Sequence, residues 1–341
     1  MSLPPSGEVP QGAIRFNTDS QRLEFYAQGE WWVMSTDTPN LGRGVDPSPG
    51  ARGVYGGGVQ TPTTAGTAIQ YVNIASTGGS VSFGSLSTGR FKGAGVADRT
   101  RGVFMGGGTP SRLNTISFVT IASTGGDTDF GDLITARSEG AGICNATRGM
   151  ICGGSSPSVV AIIDYITIQS TGNAQDFGDL PANSEQSVGV MSPTRGVISG
   201  GTGFAETTKF VTTATLGDAQ DFGDLNVDRR NGSGACNATR GVFMGGFGGG
   251  SPHATDTEYI TIATTGNATT FGDITTGTRG CEGLSSPTRG IMGGGQNAPS
   301  SDAIATMEFL TIQTEGNMVD FGDLNTSCRD FPGCSNAHGG L

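Results

Sequence analysis

Histidine, tryptophan and charged residues are scarce in this sequence. Its 341 residues include two His and two Trp, and 14% are charged, with 19 Lys and Arg against 30 Asp and Glu. With only His253 and His338 present, a histidine-based metal site is not expected, and no cofactor is predicted. The net charge of −11 would repel nucleic acid, so no nucleic-acid partner is predicted.

The chain also lacks a long apolar run. No stretch of about 18 apolar residues occurs, and the start MSLPPSGEVPQGA has neither the basic residues nor the apolar segment of a secretory signal. We therefore expect synthesis in a cytoplasm and no membrane insertion. The cysteines show no CxxC spacing, which favours reduced, buried thiols over a disulfide or metal role. They are Cys144, Cys152, Cys236, Cys281, Cys328 and Cys334.

Glycine, in contrast, is abundant and belongs to a repeat. There are 60 Gly without a three-residue period, which excludes collagen. The segment from Thr100 to Leu133 returns, edited, five more times, and the Phe of its closing Phe-Gly pair recurs at intervals of 47, 47, 45, 49 and 50 residues. These residues are Phe83, Phe130, Phe177, Phe222, Phe271 and Phe321. A period of this length indicates a propeller, solenoid or array.

Each repeat divides into four predicted strands, named A to D. In one repeat or another these read GAGICNA, RGVFMGG, ISFVTIAS and a short piece ending DFGDL. Four strands per period predict an all-β fold with a six-bladed β-propeller of four-stranded blades at 51–341. The repeats start near 51, 100, 147, 194, 239 and 288.

The tail from Gly333 aligns with a seventh strand A. A ring of blades must cover its first and last strand edges, so residues 333–340 are predicted to close the first blade beside 51–57. The competing segment, 44–50, contains Pro47 and Pro49 and is a poorer strand.

Residues 1–39 are predicted to form a small β-meander with strands at 13–16, 23–26 and 31–34, and 40–50 a turn-rich linker. Such a meander is too small to fold well alone, so we expect it to pack on the next domain, on its own copies or on a larger assembly. Trp31 and Trp32 form its core, or at least one of them anchors it to a partner.

Length variation is confined to one part of the repeat. The intervals from the strand C aromatic to the strand D Phe (12) and from that Phe to the next Arg (18) are constant, whereas the interval from the Arg to the strand C aromatic ranges from 15 to 20. Variable loops between strands B and C are therefore expected on one face, as a binding surface. The candidate partner or receptor contacts are Phe204, Phe247, His253 and Arg112.

The repeated polar residues favour structural roles. The Arg of each RG pair and the Asp of each FGD motif predict an Arg–Asp ladder between blades, and Asp as a calcium ligand is the weaker alternative. The Gly-Gly pairs indicate backbone crowding where a side chain does not fit. Because the unusual carboxylates Glu185, Glu282 and Glu315 stand at different positions of the repeat, no catalytic site is predicted.

The order Arg, strand ending in Gly-Gly, aromatic, and second aromatic 12 residues later resembles the kelch repeat of β-propellers, with Phe where kelch repeats usually have Trp. The resemblance covers residues 51–341 and implies a fold rather than a function. It makes the predicted architecture a kelch-like propeller preceded by a β-meander module.

Three further features resemble tail-fibre-like structural proteins of tailed bacteriophages, especially phages of marine cyanobacteria. They are the N-terminal GAIRFNTDSQRLEFYAQGEWW, repeats of the form YVTIASTGNATDFGDL, and the ending CSNAHGGL. The resemblance implies a virion protein without enzyme activity, whose N-terminal module attaches to other virion proteins through Trp31 and Trp32. It also implies a homo-oligomer, a trimer joined through residues 1–40.

Three functional hypotheses follow. The first is a tail fibre or fibre-tip adhesin that binds a host-surface glycan or protein through the B-to-C loops. The second is a purely structural virion component, such as a capsid decoration or tail-connecting protein, with the propeller as a spacer. The third, a glycan-cleaving propeller enzyme, is the least supported of the three.

Overall fold

The computed structural model describes residues 9–17, 22–33, 52–60, 64–202, 206–248, 250–297 and 302–341. The chain forms two compact units, residues 1–48 and residues 49–341. All regular structure in the described residues is β-strand, which confirms the all-β prediction. Within the same residues no helix has the length and apolar character needed to cross a bilayer.

The first unit contains a three-stranded antiparallel sheet. Its strands are Ile14–Asn17, Arg22–Ala27 and Glu30–Val33. Cross-strand pairing aligns Ile14 with Phe25, and Phe25 with Trp32. Because side chains alternate between the two faces of a strand, these three lie on one face. Ile14 is 63% exposed there and Trp32 49% exposed.

Trp31 lies on the opposite face of this small sheet. Its ring packs against Tyr26, with 5.3 Å between centroids, and the guanidinium of Arg15 lies 4.1 Å from its centroid. Trp32 donates from Nε1 to the carbonyl oxygen of Ala27, 2.9 Å away, and keeps much of its ring exposed. The two tryptophans therefore have different environments.

The second unit contains six four-stranded antiparallel sheets, each with the strand order A-B-C-D. Strands A of sheets 1 to 6 are Gly333–Ser335, Ala94–Ala97, Ala141–Cys144, Val188–Met191, Ser233–Cys236 and Glu282–Ser285. Strands B are Arg52–Gly56, Arg101–Met105, Arg148–Cys152, Arg195–Ser199, Arg240–Met244 and Arg289–Gly293. Strands C are Ala68–Asn73, Thr115–Thr120, Ile162–Thr167, Thr207–Thr212, Asp256–Thr261 and Thr306–Thr311. Strands D are Val81–Ser85, Thr128–Asp132, Gln175–Asp179, Gln220–Asp224, Thr269–Asp273 and Val319–Asp323.

Short two-residue strands pair beyond the ends of several sheets. Two of these pairs are hairpins within one B-to-C connection, and two join a D-to-A connection to the B-to-C connection that follows it. They are Gly108–Thr109 with Ser111–Arg112, Ser155–Ser156 with Ser158–Val159, Arg229–Arg230 with Phe247–Gly248, and Thr278–Arg279 with Gln296–Asn297.

The C-terminus completes sheet 1. Gly333–Ser335 pairs antiparallel with Arg52–Gly56 and aligns Gly333 with Tyr55. The predicted pairing of the chain ends is present, but the strand is shorter than the predicted 333–340, because the chain turns after Ser335. This pairing covers a strand edge that would otherwise be open. The alternative segment, 44–50, lies outside the described residues.

Strands A of successive sheets approach each other so closely that only glycine fits between them. A Cβ on Gly142 would lie 2.5 Å from the carbonyl oxygen of Gly95, and a Cβ on Gly95 would lie 2.1 Å from that of Gly333. Gly333–Ser335 also contacts the strand A of sheet 6. Each of the six strands A therefore has two neighbours of its own kind.

The repeated Arg at the start of strand B links its sheet to the next one. The guanidinium of Arg101 lies 4.5 Å from the ring centroid of Phe118, and its Nη1 donates to the carbonyl oxygen of Ile168 in the following sheet, 3.1 Å away. Equivalent contacts are made by Arg52, Arg148, Arg195, Arg240 and Arg289.

The predicted Arg–Asp ladder is wrong. Pairing aligns Arg101 with Thr120 at the end of strand C, and Asp132 with Thr115 at its start, so the Arg and the Asp stand at opposite ends of the sheet. The backbone amide of Asp132 instead donates to Oδ1 of Asn173 in the next sheet, 3.0 Å away.

The Gly-Gly pairs end strand B as the sequence predicts. Gly106 and Gly107 have φ values of 58° and 100°, a region that L side chains rarely adopt. A Cβ on Gly106 would lie 2.5 Å from the carbonyl oxygen of Arg137. Backbone crowding thus explains the repeated pair.

Buried ion pairs join two of the D-to-A connections to strand C of the sheet that follows each of them. Arg137 Nη1 lies 3.0 Å from Asp164 Oδ2, and Arg229 Nη2 lies 2.7 Å from Glu258 Oε1, with almost no side-chain exposure. In every sheet the strand C aromatic packs edge to face on the strand D Phe. All six cysteines are free and buried, as predicted.

Candidate functional site

The B-to-C connections and the connections from strand D to the next strand A leave the same end of each sheet, because the four strands are antiparallel and joined in order. We call this end the loop end. Strands A of neighbouring sheets meet at equivalent glycines, so the six loop ends lie on the same side of the second unit. The variable loops are therefore neighbours in space.

A ring of backbone hydrogen bonds lies at this end. Its members stand nine residues after each strand D Phe and share φ values of 54° to 65°. The amide of each donates to the carbonyl oxygen of the member before it at 2.6 to 2.9 Å, and the amide of Lys92 completes the ring by donating to Asp330. The members of this backbone ring are Lys92, Glu139, Gln186, Asn231, Gly280 and Asp330.

A cavity of about 100 Å³ lies among the six strands A. Its lining is mostly glycine and small apolar residues, with one carboxyl side chain, that of Glu282. Burial raises the pKa of Glu282 to about 8, although the backbone amides of Gly333 and Gly283 donate to it. In the other five repeats the same position, eleven residues after the strand D Phe, is Ala94, Ala141, Val188, Ser233 or Pro332.

Residues 336–341 cover the far end of this cavity. His338 Nε2 lies 2.8 Å from the carbonyl oxygen of Ala97, and the amide of Gly340 donates to His338 Nδ1 at 3.0 Å. The first contact requires a proton on Nε2 and the second requires none on Nδ1, so the geometry selects a neutral imidazole. Burial lowers the pKa of His338 to about 4.

A second cavity, of about 190 Å³, lies at the loop end. We call it the arginine pocket. Its charged lining residues are Lys92, Arg230, Arg279, Arg329 and Asp330, and its aromatic residue is Phe247. These residues come from five of the connections between or within repeats, and the backbone ring holds two of them.

Phe247 is placed between two arginines by the short pairing of Arg229–Arg230 with Phe247–Gly248. The guanidinium carbons of Arg230 and Arg279 lie 4.9 and 5.4 Å from its ring centroid. A Cβ on Gly248 would lie 1.7 Å from the carbonyl oxygen of Asp228, so the glycine after Phe247 is required. The ring of Phe247 forms part of the pocket wall, and both guanidinium groups are held beside it by this stacking.

Arg329 and Lys92 each contact a carboxylate. Arg329 Nη1 donates to Asp330 Oδ2, 2.8 Å away, and Lys92 forms an ion pair with Glu139. The four cations of the lining still outnumber its single carboxylate. In a chain with a net charge of −11, this is a local reversal of sign.

The structure separates the candidate contacts predicted from the sequence. Phe247 lines the arginine pocket, while Arg112 lies elsewhere at the loop end and donates from Nη2 to Ser155 Oγ at 2.8 Å. His253 is half-buried, and burial and the charge of Arg279 lower its pKa. Phe204 lies outside the described residues.

The pocket arginines are functional candidates that the sequence reasoning missed. Arg230, Arg279 and Arg329 each stand eight residues after a strand D Phe, in three successive repeats. The other repeats have Phe91, Ser138 and Glu185 there. Alignment of the repeats on Phe contains this signal, although only packing shows that the three side chains line one pocket.

Among the described residues, no group of three or more His, Cys, Asp or Glu side chains is placed to hold a metal ion. No protein-family model matches this chain, and no curated protein matches it either.

Proposed function

We propose that residues 49–341 form a six-bladed, kelch-like β-propeller in which each four-stranded sheet is one blade. Three observations support this architecture. All six sheets share one strand order, each strand A has two neighbours of its own kind, and the backbone ring joins the six repeats in a closed cycle. Pairing of the chain ends within one sheet is the usual way to close such a fold.

The protein itself we propose to be a non-enzymatic structural protein of a tailed-phage virion, a tail fibre or fibre-tip adhesin. Its loop end binds a glycan or protein on the host surface. The observation that carries this proposal is the contrast within each repeat. Packed strands keep constant intervals while the B-to-C loops differ, and these loops share one end of the unit with the arginine pocket.

The N-terminal unit is proposed to attach the protein to other virion proteins, with a homo-oligomer, a trimer, joined there. Exposed Ile14 and Trp32 flank half-buried Phe25 on one face of the small sheet, and they support this role because exposed apolar side chains gain stability when a partner covers them. Trp31 contacts Tyr26 and Arg15 within the unit, so Trp32 is the better candidate anchor.

A second candidate is a purely structural virion component that uses the propeller as a rigid spacer. It is favoured by the repeated hydrogen bonds from the strand B arginines to the next sheet, which join all neighbouring sheets in the same way. Under this alternative the loops differ because nothing constrains them.

Adsorption of the purified full chain to cyanobacterial cells separates the two candidates. The adhesin predicts saturable binding that competes with phage carrying this chain. It also predicts loss of binding when residues 247–254 are replaced by the loop sequence SSPSVV of residues 155–160. This exchange keeps the register, because the amide of Ala254 donates to Gly246 as the amide of Val160 donates to Gly154.

The matched control changes a connection at the opposite end of the same sheet. Residues 263–268 receive the sequence of 169–174, which should leave adsorption unchanged. Well-folded protein that does not adsorb to any strain infected by the phage would contradict the adhesin and favour the spacer. Phage particles without the second unit would then be malformed or fragile instead of merely unable to adsorb.

A further inference from the structure

We propose that the arginine pocket binds an acidic saccharide through a carboxylate, phosphate or sulfate group. This inference rests on the proposed host-binding function and specifies the chemical class of ligand for one part of the loop end.

Three arginines of the pocket stand at one position of the repeat. Arg230, Arg279 and Arg329 occupy equivalent positions of three successive repeats, whereas the other three repeats have Phe91, Ser138 and Glu185. At this position of the repeat, the basic side chains are therefore confined to three neighbouring repeats. An anion near an otherwise acidic chain is attracted most strongly to these repeats, at distances within the Debye length of roughly 8 Å at physiological salt.

The guanidinium groups of the pocket suit an anion that offers two oxygens. A guanidinium has five N–H donors in a planar fork that fits two oxygens of a carboxylate or phosphate. Arg329 uses Nη1 for Asp330, a contact that occupies one nitrogen. Arg230 and Arg279 are held against the ring of Phe247. Arginines fixed by stacking lose less rotamer entropy when they bind an anion.

Amide side chains complete the lining of the pocket. Gln186, Asn231 and Gln296 also line the pocket, and their amides can donate to and accept from sugar hydroxyls. The cavity of about 190 Å³ is smaller than the roughly 300–1,000 Å³ of drug-sized pockets. These features suit one charged sugar unit of a longer glycan.

Isothermal titration of the full chain tests the proposal with three probes: oligogalacturonate for carboxylate, a phosphorylated mannan for phosphate and dextran sulfate for sulfate. Neutral dextran is the negative probe. We expect at least one acidic probe to bind, and Arg230→Gln, Arg279→Gln and Arg329→Gln each to weaken it about tenfold, the lower end of the effect of a charge-assisted hydrogen bond. Arg279→Lys keeps the positive charge but not the planar, forked donor group, so its affinity should lie between that of Arg279→Gln and that of the unmodified chain.

Arg112→Gln is the matched control, because it removes the same charge at the loop end outside the pocket. Equal weakening by Arg112→Gln would overturn the proposal, as would neutral dextran binding as tightly as the acidic probes, or no acidic probe binding to the folded chain. For the unmodified chain, binding that does not weaken between 50 and 500 mM NaCl would also contradict it, independently of how the variants fold.

Cell adsorption of the same variants separates this inference from the proposed function. If the unmodified chain adsorbs to cells and a chain with all three Arg→Gln changes adsorbs equally well, the pocket is not the site and host binding stands. If the acidic probes bind but the chain does not adsorb to cells, the anion site stands and the host-binding proposal fails.

Discussion

Arg137 and Asp164 form a buried ion pair that joins a D-to-A connection to strand C of the sheet that follows it. Seven residues after the strand D Phe, Arg137 and Arg229 face Asp164 and Glu258 of the following sheet. Where Ser184 replaces the Arg, the following strand C has Lys209 in place of the carboxylate. Arg90 stands at the same position of another repeat and is also buried, but it donates to the carbonyl oxygens of Phe104 and Gly106 and to Ser117 Oγ. A buried charge at this position is therefore met by an opposite charge in some repeats and by neutral polar groups in another.

Asp164→Asn should destabilise the second unit by about 3–5 kcal/mol, because it leaves the buried charge of Arg137 without its partner. Burial already raises the pKa of Asp164 in spite of the neighbouring Arg137, which indicates a large desolvation cost. The double change Arg137→Met with Asp164→Leu should recover most of the loss. Urea unfolding measures both, with the exposed Asp129→Asn as the control, expected within about 0.5 kcal/mol of the unmodified chain. The prediction would be contradicted if Asp164→Asn lowered the free energy of unfolding no more than Asp129→Asn does.

Glu282→Gln should change how stability depends on pH. The folded-state pKa of about 8 lies above the usual 4.5, so the folded state holds the proton more tightly than the unfolded state does. The contribution of Glu282 is therefore fully present below pH 4 and is lost as the pH rises toward 8, with a slope of at most about 1.4 kcal/mol per pH unit.

Gln cannot ionise, so the difference in unfolding free energy between this variant and the unmodified chain should grow in favour of the variant from pH 5 to pH 8. Urea unfolding at several pH values measures it, and the exposed Glu206→Gln serves as the control. Parallel pH curves for Glu282→Gln and the unmodified chain would show that the cavity does not hold a protonated carboxyl group.

At the scale of elements, the C-terminal strand is the piece that completes sheet 1. A chain ending at Pro332 leaves the edge of Arg52–Gly56 unpaired, and we expect it to unfold at a temperature more than 10 °C lower or to aggregate. A synthetic peptide of residues 331–341 should raise the melting temperature again, in proportion to the logarithm of its concentration. A peptide with the same composition in scrambled order is the control. Unchanged melting after truncation would mean that the pairing contributes little.

The tail beyond this strand should be acid-sensitive. The pKa of His338 is lowered to about 4 from the usual 6.5, so its neutral form stabilises the folded state. That contribution is complete above pH 6.5 and is lost as the pH falls toward 4, which is the direction opposite to that of Glu282. His338→Gln should flatten this part of the pH curve, even if it lowers stability at pH 7. Hydrogen exchange of the amide of Gly340 reports the stability of the tail locally. If the stability of His338→Gln fell with acid as steeply as that of the unmodified chain, His338 would not be the group responsible.

At the scale of the whole molecule, each sheet of the second unit has two neighbouring sheets. An open array of repeats can fray from its ends, but a closed one has no end to fray. We therefore expect residues 49–341 of the full chain to unfold in one cooperative transition, with equal calorimetric and van't Hoff enthalpies. In a chain truncated at Pro332, the calorimetric enthalpy should exceed the van't Hoff enthalpy, because unfolding is then less cooperative. Two or more transitions in the intact second unit would count against the proposed propeller.

Much of the fold was readable from the sequence because its determinants are local or periodic. Constant intervals between Arg, aromatic and Phe reflect strand pairing within one sheet, and the strands lie where those intervals place them. The Gly-Gly pairs were readable for the same reason, since φ is a property of one residue. Alignment of the tail with strand A likewise predicted the partner of Arg52–Gly56.

Contacts between repeats were not readable in this way. The strand B arginines donate to carbonyl groups of the next sheet and not to the predicted aspartates, because the Asp stands at the other end of the strand. Of the candidate receptor contacts, Phe247 lines the arginine pocket while Arg112 contacts Ser155 outside it. Nothing in the spacing of either residue distinguishes these environments.

The sequence by itself determined the all-β fold, the number of repeats, the order of strands and the position of the variable loops, since hydrophobic pattern and steric limits act along the chain. The tertiary structure decided that three arginines from three repeats line one pocket with Phe247, and that Glu282 lies in a cavity among the strands A. Desolvation and electrostatic attraction depend on distances between groups far apart in the chain, and only the packing of sheet against sheet sets those distances.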